Sequence, residues 1–189
     1  MINIQSDSRK IKKGDIFVAL KCEVNDGHKY IDKAIENGAS KIIAEHGEYS
    51  VDTLIVDDTR KFINKYLEEN YNKYLDEMTI IGITGTNGKT TTAYLIYQAL
   101  NKLGIKSAYI GTIGFYIDKK ECDLPNTSVD ICDTYNLLME AYHKKCKVVV
   151  LEVSSHALAN NRLCTLKFDF GIFTNLTQDH LDFHKTMEN

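Results

Sequence analysis

Along this chain, short unbroken apolar runs alternate with stretches whose apolar residues return every three or four positions. The first kind suits strands, the second helices packed by one face. In the N-terminal part, Ile16–Leu20 (IFVAL), Lys41–Glu45 (KIIAE) and Thr53–Asp58 (TLIVDD) read as strands. Between the first two, KYIDKAIENGA sets Ile31, Ala34 and Ile35 at helical spacing, and Gly38 stands where such a helix would stop. A second helix is predicted from about Thr59 to Tyr74, with Phe62, Ile63, Tyr66 and Leu67 on one face. Strands alternating with helices predict a small α/β unit.

From Met78 the alternation repeats with stronger strands: Ile80–Thr84, Ser107–Gly111, Lys147–Val153 and Phe168–Asn175. Their near-continuous Val, Ile, Leu and Phe content suits strands buried on both faces, as in a parallel sheet. A helix is predicted over Lys89–Leu103, with Ala93, Ile96, Ala99, Leu100 and Leu103 as its apolar stripe and Gly104 as its stop. The predicted fold is α/β: a small N-terminal α/β domain over residues 1–77, then a parallel-sheet domain of the P-loop type over 78–189. The boundary falls around 75–79, without a Pro- or Gly-rich linker.

Composition narrows the function classes. The 189 residues carry a net charge of −3 and show no basic stripe, which argues against a large nucleic-acid footprint. No apolar run approaches the roughly 18 residues a membrane span needs, and MINIQSDSRKIKK lacks the apolar core of a signal peptide. Cys22, Cys122, Cys132, Cys146 and Cys164 are scattered without a CxxC pair. That pattern reads as free thiols in a reducing cytoplasm.

The chemistry concentrates in GITGTNGKTTT, Gly82–Thr92, set between a strand and a helix. Gly85 and Gly88 permit close backbone approach, so amides can face phosphate oxygens, and the following helix start adds a favourable dipole. Lys89 is placed to neutralise β/γ oxygens, and Thr90 offers a hydroxyl to Mg²⁺. The usual GxxxxGK[ST] loop has glycine where Ile83 stands; the plain alternative is a glycine-rich turn with an incidental lysine. Two more motifs follow predicted strands: Glu152 with Ser154, Ser155 and His156 in KVVVLEVSSHAL, and Asn175, Asp179 and His180 in FGIFTNLTQDHLDFH. In an open parallel sheet, ligands gather at the carboxyl edge, so all three motifs are expected in one crevice. A buried glutamate facing a triphosphate needs a cation between them, and Mg²⁺ is the natural bridge. His180 and His184, one helical turn apart, leave a zinc site as a minor option. Ser154-Ser155-His156 leaves a nucleophilic one, without a G-x-S-x-G elbow.

Together these residues resemble the Mur ligases, the ATP-dependent amide-forming enzymes of peptidoglycan synthesis. GITGTNGKTTT is similar to their nucleotide loop and TNLTQDHLDFH to the segment after a central strand. DSRKIKKGDIFVAL with DGHKYIDKAIENGA resembles a UDP-binding domain. EVSSHAL resembles the branch that adds the third residue of the stem peptide, rather than the branch adding the terminal dipeptide or the folylpolyglutamate synthetases.

The resemblance implies a UDP-sugar-binding domain followed by an ATP-binding domain. It implies transfer of the γ-phosphoryl group to the D-glutamate carboxylate of UDP-MurNAc-L-Ala-D-Glu, then attack by the amine of diaminopimelate or lysine. By matched position, Gly85, Thr86, Asn87, Gly88, Lys89, Thr90 and Thr91 would bind ATP. Thr90, Glu152 and His180 would serve Mg²⁺, and Lys89, Glu152 and His180 form the catalytic set. Ser8 would touch the UDP-sugar. Asn126, Thr127, Ser128, Ser154, Asn160 and Arg162 would face the peptide portion, Arg162 with a two-pronged grip on a carboxylate. The family's N-T-T-P reads Asn126-Thr127-Ser128-Val129 here, Asn160 replaces a glutamine, and Cys22 stands where glycine is frequent. Relatives continue past HKTMEN to a carbamylated lysine and a C-terminal domain with the amino-acid pocket. A chain of this length is therefore expected to complete no amide bond alone, and to leave an unpaired sheet edge that favours self-association. The full-length protein is expected to be a cytoplasmic monomer.

Overall fold

The computed structural model describes residues 3–21, 26–160, 162, 163 and 165–187; Cys22 and Cys164 lie outside them. Two compact units result, Met1–Lys73 and Tyr74–Asn189. In the first, strands β1 (Ile4–Gln5), β2 (Ile16–Val18), β3 (Lys41–Ala44) and β4 (Asp52–Ile55) pair in parallel in the order 1-2-3-4. Helix α1 (Ile31–Glu36) lies between β2 and β3 in the chain, and α2 (Thr59–Leu75) follows β4. The parallel register puts Phe17 beside Ile42, and these join Ile31, Ala34 and Ala44 in one buried cluster. Ile63 and Leu67 of α2 are fully buried, while Phe62 and Tyr66 remain partly exposed.

The second unit contains β5 (Thr79–Thr84), α3 (Lys89–Lys102), β6 (Ser107–Gly111), β7 (Gly114–Ile117), β8 (Lys119–Cys122), α4 (Ile131–His143), β9 (Val148–Glu152), α5 (Ser155–Ala159), β10 (Phe170–Phe173) and α6 (Leu181–His184). Its sheet runs β10-β5-β9-β6-β7-β8, parallel from β10 to β6 and antiparallel beyond. The chain places β6 on one side of β5, β9 between them and β10 on the other side. The strand order therefore reverses at β5, the place where such sheets bind ligands.

Four features differ from the sequence reading. The sequence reading passes over the β7–β8 hairpin, although β7 buries Phe115 and Ile117, and over α4. Helix α4 is capped by Asp130, whose carboxylate accepts from the Cys132 amide at 3.3 Å, and it buries Ile131, Tyr135 and Leu138 at helical spacing. Asp130→Ala is expected to lower the unfolding free energy of this unit by about 1 kcal/mol, read by urea denaturation. The apolar stripe of α3 is displaced: Leu103 is 77% exposed and Ala99 is exposed, while Tyr97 is buried beside Ala93. Tyrosines supply the missing core because their rings pack on the sheet, Tyr94, Tyr97, Tyr109 and Tyr116 meeting at centroid distances of 5.4–6.3 Å. Strand β10 is not buried on both faces; it is the sheet's edge, with Phe170 and Phe173 61% and 63% exposed. No helix among the described residues is long and apolar enough to cross a membrane.

Candidate active site

The carboxyl ends of β5, β6 and β9 lie side by side, because Ile83 pairs with Glu152 and Ile110 with Leu151. β5 runs directly into the loop Gly85–Gly88. Gly85 has φ +132°, and a Cβ there would collide with the Thr174 hydroxyl and stand 2.8 Å from the Asn175 carbonyl oxygen. Gly88, at φ 82°, opens α3 in the left-handed region. Helix α3 thus starts with its free amides at the sheet's carboxyl edge.

The segment just past β10 clasps this loop. The Thr86 amide donates to the Asn175 carbonyl at 2.9 Å and the Asn87 amide to Asn175 Oδ1 at 3.0 Å. Asn175 Nδ2 and Thr174 Oγ1 both donate to the Asn87 carbonyl, at 2.9 and 2.7 Å. The Thr177 amide donates to Thr86 Oγ1 at 2.9 Å. Two loop amides are therefore already engaged, which leaves those at the start of α3 for an anion. Lys89 Nζ donates to the carbonyls of Gly85 and Thr86 at 2.7 and 2.9 Å, so its charge sits inside the loop. Thr91 is exposed on α3.

Glu152 is wholly buried at the tip of β9. Its Oε1 accepts from the Tyr109 hydroxyl and, at 3.0 Å, from the Thr112 amide. Its Oε2 accepts from Thr90 Oγ1 at 2.9 Å and Thr112 Oγ1 at 3.1 Å. Burial, then the neighbouring carboxylate, hold the Tyr109 phenol far above its ordinary value, so it stays a donor. Octahedral oxygen ligands at about 2.0–2.1 Å from Mg²⁺ stand about 2.9 Å apart. The Thr90 Oγ1–Glu152 Oε2 separation matches that spacing, and both are hard oxygen donors, so the pair fits the ion.

Ser128 Oγ donates to the Glu152 carbonyl at 3.0 Å and accepts from the Ser154 amide at 2.9 Å. Thr127 Oγ1 lies 2.9 Å from Thr112 Oγ1. Residues 127, 128 and 154 thus join the glutamate's surroundings, while Asn126 is exposed. Val129 is buried beneath this loop. Ser154 caps α5 through the Ala157 amide, and Asn160 ends the helix. Arg162 is half-buried, its amide on the Ala157 carbonyl at 2.9 Å.

A cavity of about 230 Å³ opens beside the loop, lined by Thr86, Lys89, Ser154, Asp179, His180 and His184 among others. His180 and Lys89 share this cavity, but no hydrogen bond joins His180 to Thr90 or Glu152 among the described residues. The His180 ring instead meets His156 edge-on at 4.7 Å, and His156 packs on Phe183 at 4.3 Å. Burial, then the charges of His180 and His184, draw the His156 imidazole below its ordinary value. His184 Nε2 lies 2.9 Å from Ser155 Oγ, so this serine pairs with a histidine distant in sequence rather than with His156. Among the described residues no three His, Cys, Asp or Glu side chains are grouped to hold a metal.

Ser8 belongs to the first unit. It opens a short 3-10 turn (Ser8–Lys10) capped by Asp7 and is buried, its carbonyl accepting from Asn37 Nδ2 at 2.8 Å. Sequence reasoning passed over Tyr109, Thr112, Thr174 and Thr177. The only available signal was Gly111-Thr112-Ile113-Gly114 at the end of a central strand, and the threonines flanking Asn175.

Two family profiles match the chain: the Mur ligase middle domain over residues 83–189, and the Mur ligase family catalytic domain over residues 2–83. A UDP-N-acetylmuramoyl-L-alanyl-D-glutamate–2,6-diaminopimelate ligase of Parabacteroides distasonis is 40% identical over 191 residues, covering 99% of this chain and 39% of the relative. The like-named ligase of Clostridium perfringens is 42% identical over 190 residues, covering 99% and 39%. A solved ligase structure of that same name superposes with a TM-score of 0.78 at 30% identity, covering 98% of this chain and 38% of the other. A Thermotoga maritima MurF ligase in complex with ADP gives 0.67 at 26% identity, covering 98% and 40%. The chain spans 39% of the length of the first two relatives.

Proposed function

The chain belongs to the Mur ligase family, and from there we propose that it carries the UDP-sugar-binding and ATP-binding parts of a ligase joining diaminopimelate to UDP-MurNAc-L-Ala-D-Glu. The names of the relatives support diaminopimelate over lysine as the incoming amino acid. The observation that carries the nucleotide reading is the Thr90–Glu152 oxygen pair, set at the root of a clasped glycine loop where the strand order reverses.

In this reading the amides opening α3 and the Lys89 ammonium hold the β- and γ-phosphates, and the half-buried Thr90 hydroxyl and the buried Glu152 carboxylate would hold magnesium, with His180 as a further ligand. Bound there, Mg²⁺ supplies the positive charge that lets a substrate carboxylate approach a triphosphate. Thr127, Ser128 and Ser154 orient the dipeptide end, Asn160 and Arg162 its carboxylates, and Ser8 the UDP-sugar. The complete ligase works as a cytoplasmic monomer without nucleic acid.

Calorimetric titration tests the nucleotide step. Mg-ADP is expected to bind saturably, at least tenfold more weakly when EDTA removes the metal, with GDP giving no comparable response. Equal responses to ADP and GDP, or none to either, would discard the reading.

A further inference from the structure

Glu152 carries more than one job in a single carboxylate. Its two oxygens face different ways: Oε2 meets the nucleotide loop through Thr90 and also accepts from the Thr112 hydroxyl, while Oε1 faces inward to the Tyr109 hydroxyl and the Thr112 amide. Tyr109 is itself closely packed. It is fully buried, and its ring is wedged edge-on against Tyr94 and Tyr116 at 5.5 and 5.8 Å. The backbone approaches both partners so closely at Gly111 that a Cβ there would overlap Glu152 Oε1. The main chain, the phenol and the carboxylate are therefore built as one interlocked unit, and the carboxylate has no room to turn over.

We infer that Tyr109 is a positioning residue: by holding Glu152 Oε1 it reserves Oε2, next to Thr90, as the oxygen offered to magnesium. The inference rests on the nucleotide reading above and deepens it. A carboxylate whose far oxygen is tied presents its near oxygen in one direction, and loss of such outer-shell bonds ordinarily weakens metal affinity by about 10–100-fold. The aromatic wedge explains why a tyrosine is suited here: its ring is fixed by core packing while its hydroxyl reaches a buried charge.

The experiment compares wild type, Tyr109→Phe and, as a control, Tyr97→Phe, which alters a buried tyrosine of the same cluster with no bond to Glu152. ADP affinity is measured with Mg²⁺ and with EDTA. In Tyr109→Phe the gain in affinity supplied by Mg²⁺ is expected to shrink about tenfold, while ADP affinity in EDTA and the behaviour of Tyr97→Phe stay at wild-type levels. A merely structural role would weaken ADP in both buffers, and that result overturns the inference. So does a Tyr109→Phe protein with the wild-type Mg²⁺ gain. If wild type itself gains nothing from Mg²⁺, the nucleotide–metal reading falls and takes the inference with it. A measurement on wild type stands independent of any variant. The Tyr109 hydroxyl proton is expected to be protected from exchange in the NMR spectrum and to shift on adding Mg-ADP. A freely exchanging proton would contradict the fixed bond.

Discussion

Gly85→Ala is expected to abolish measurable Mg-ADP binding, by more than 100-fold, and to lower the unfolding free energy of the second unit by about 3 kcal/mol. Backbone strain at φ +132° accounts for roughly 1–3 kcal/mol of that. The new methyl group also meets the Thr174 hydroxyl and the Asn175 backbone, and relieving it means pulling the loop from its clasp. Each clasp bond lost then leaves a loop amide or carbonyl without its partner. Gly171→Ala is the control, since its Cβ would meet nothing within 4 Å. Urea denaturation and calorimetry read both quantities. A Gly85→Ala protein with wild-type stability and binding would show that the loop is not held as described.

The second large effect separates charge from shape at Glu152. Glu152→Gln keeps the side chain's outline, and its carbonyl oxygen can still accept from Tyr109 and the Thr112 amide. Its amide nitrogen would face the hydroxyls of Thr90 and Thr112, which can rotate to accept. The fold is therefore expected to survive with a loss of about 1–2 kcal/mol. The Mg²⁺-dependent gain in ADP affinity is expected to fall more than 100-fold, because a neutral amide is a poor ligand for a hard dication. Should the variant keep the wild-type Mg²⁺ gain, the ion is bound elsewhere and the proposed site is wrong.

Much of this was legible in the sequence because the signals were local. Strand Ser107–Gly111 lies where its apolar run predicts, and Gly104, at φ +79°, ends a helix as expected. The glycine loop announced itself by composition and placement. What the sequence concealed were contacts between distant residues. Tyr109 looks like one more core aromatic until β6 is laid beside β9, and only then does its hydroxyl reach Glu152. Leu103 satisfies a helical period yet faces water, because α3 turns Tyr97 rather than Leu103 toward the sheet. The hairpin β7–β8 pairs partly through Lys119 and Lys120, which no hydrophobic pattern would flag. His156 and His180 match the motifs, but their edge-on packing depends on how residues 174–187 return to the sheet.

The clasp has a consequence for synthesis. Asn87 and its holder Asn175 are 88 positions apart, and at about 5–20 residues per second a ribosome needs about 4–18 s to bridge that gap. Through that interval the nascent loop has its glycines but nothing to grip it, and β5 lacks both neighbours, β9 and β10, on either flank. Under the proposed function, nucleotide capture would thus come late in the polypeptide's birth, once the closing segment has left the exit tunnel.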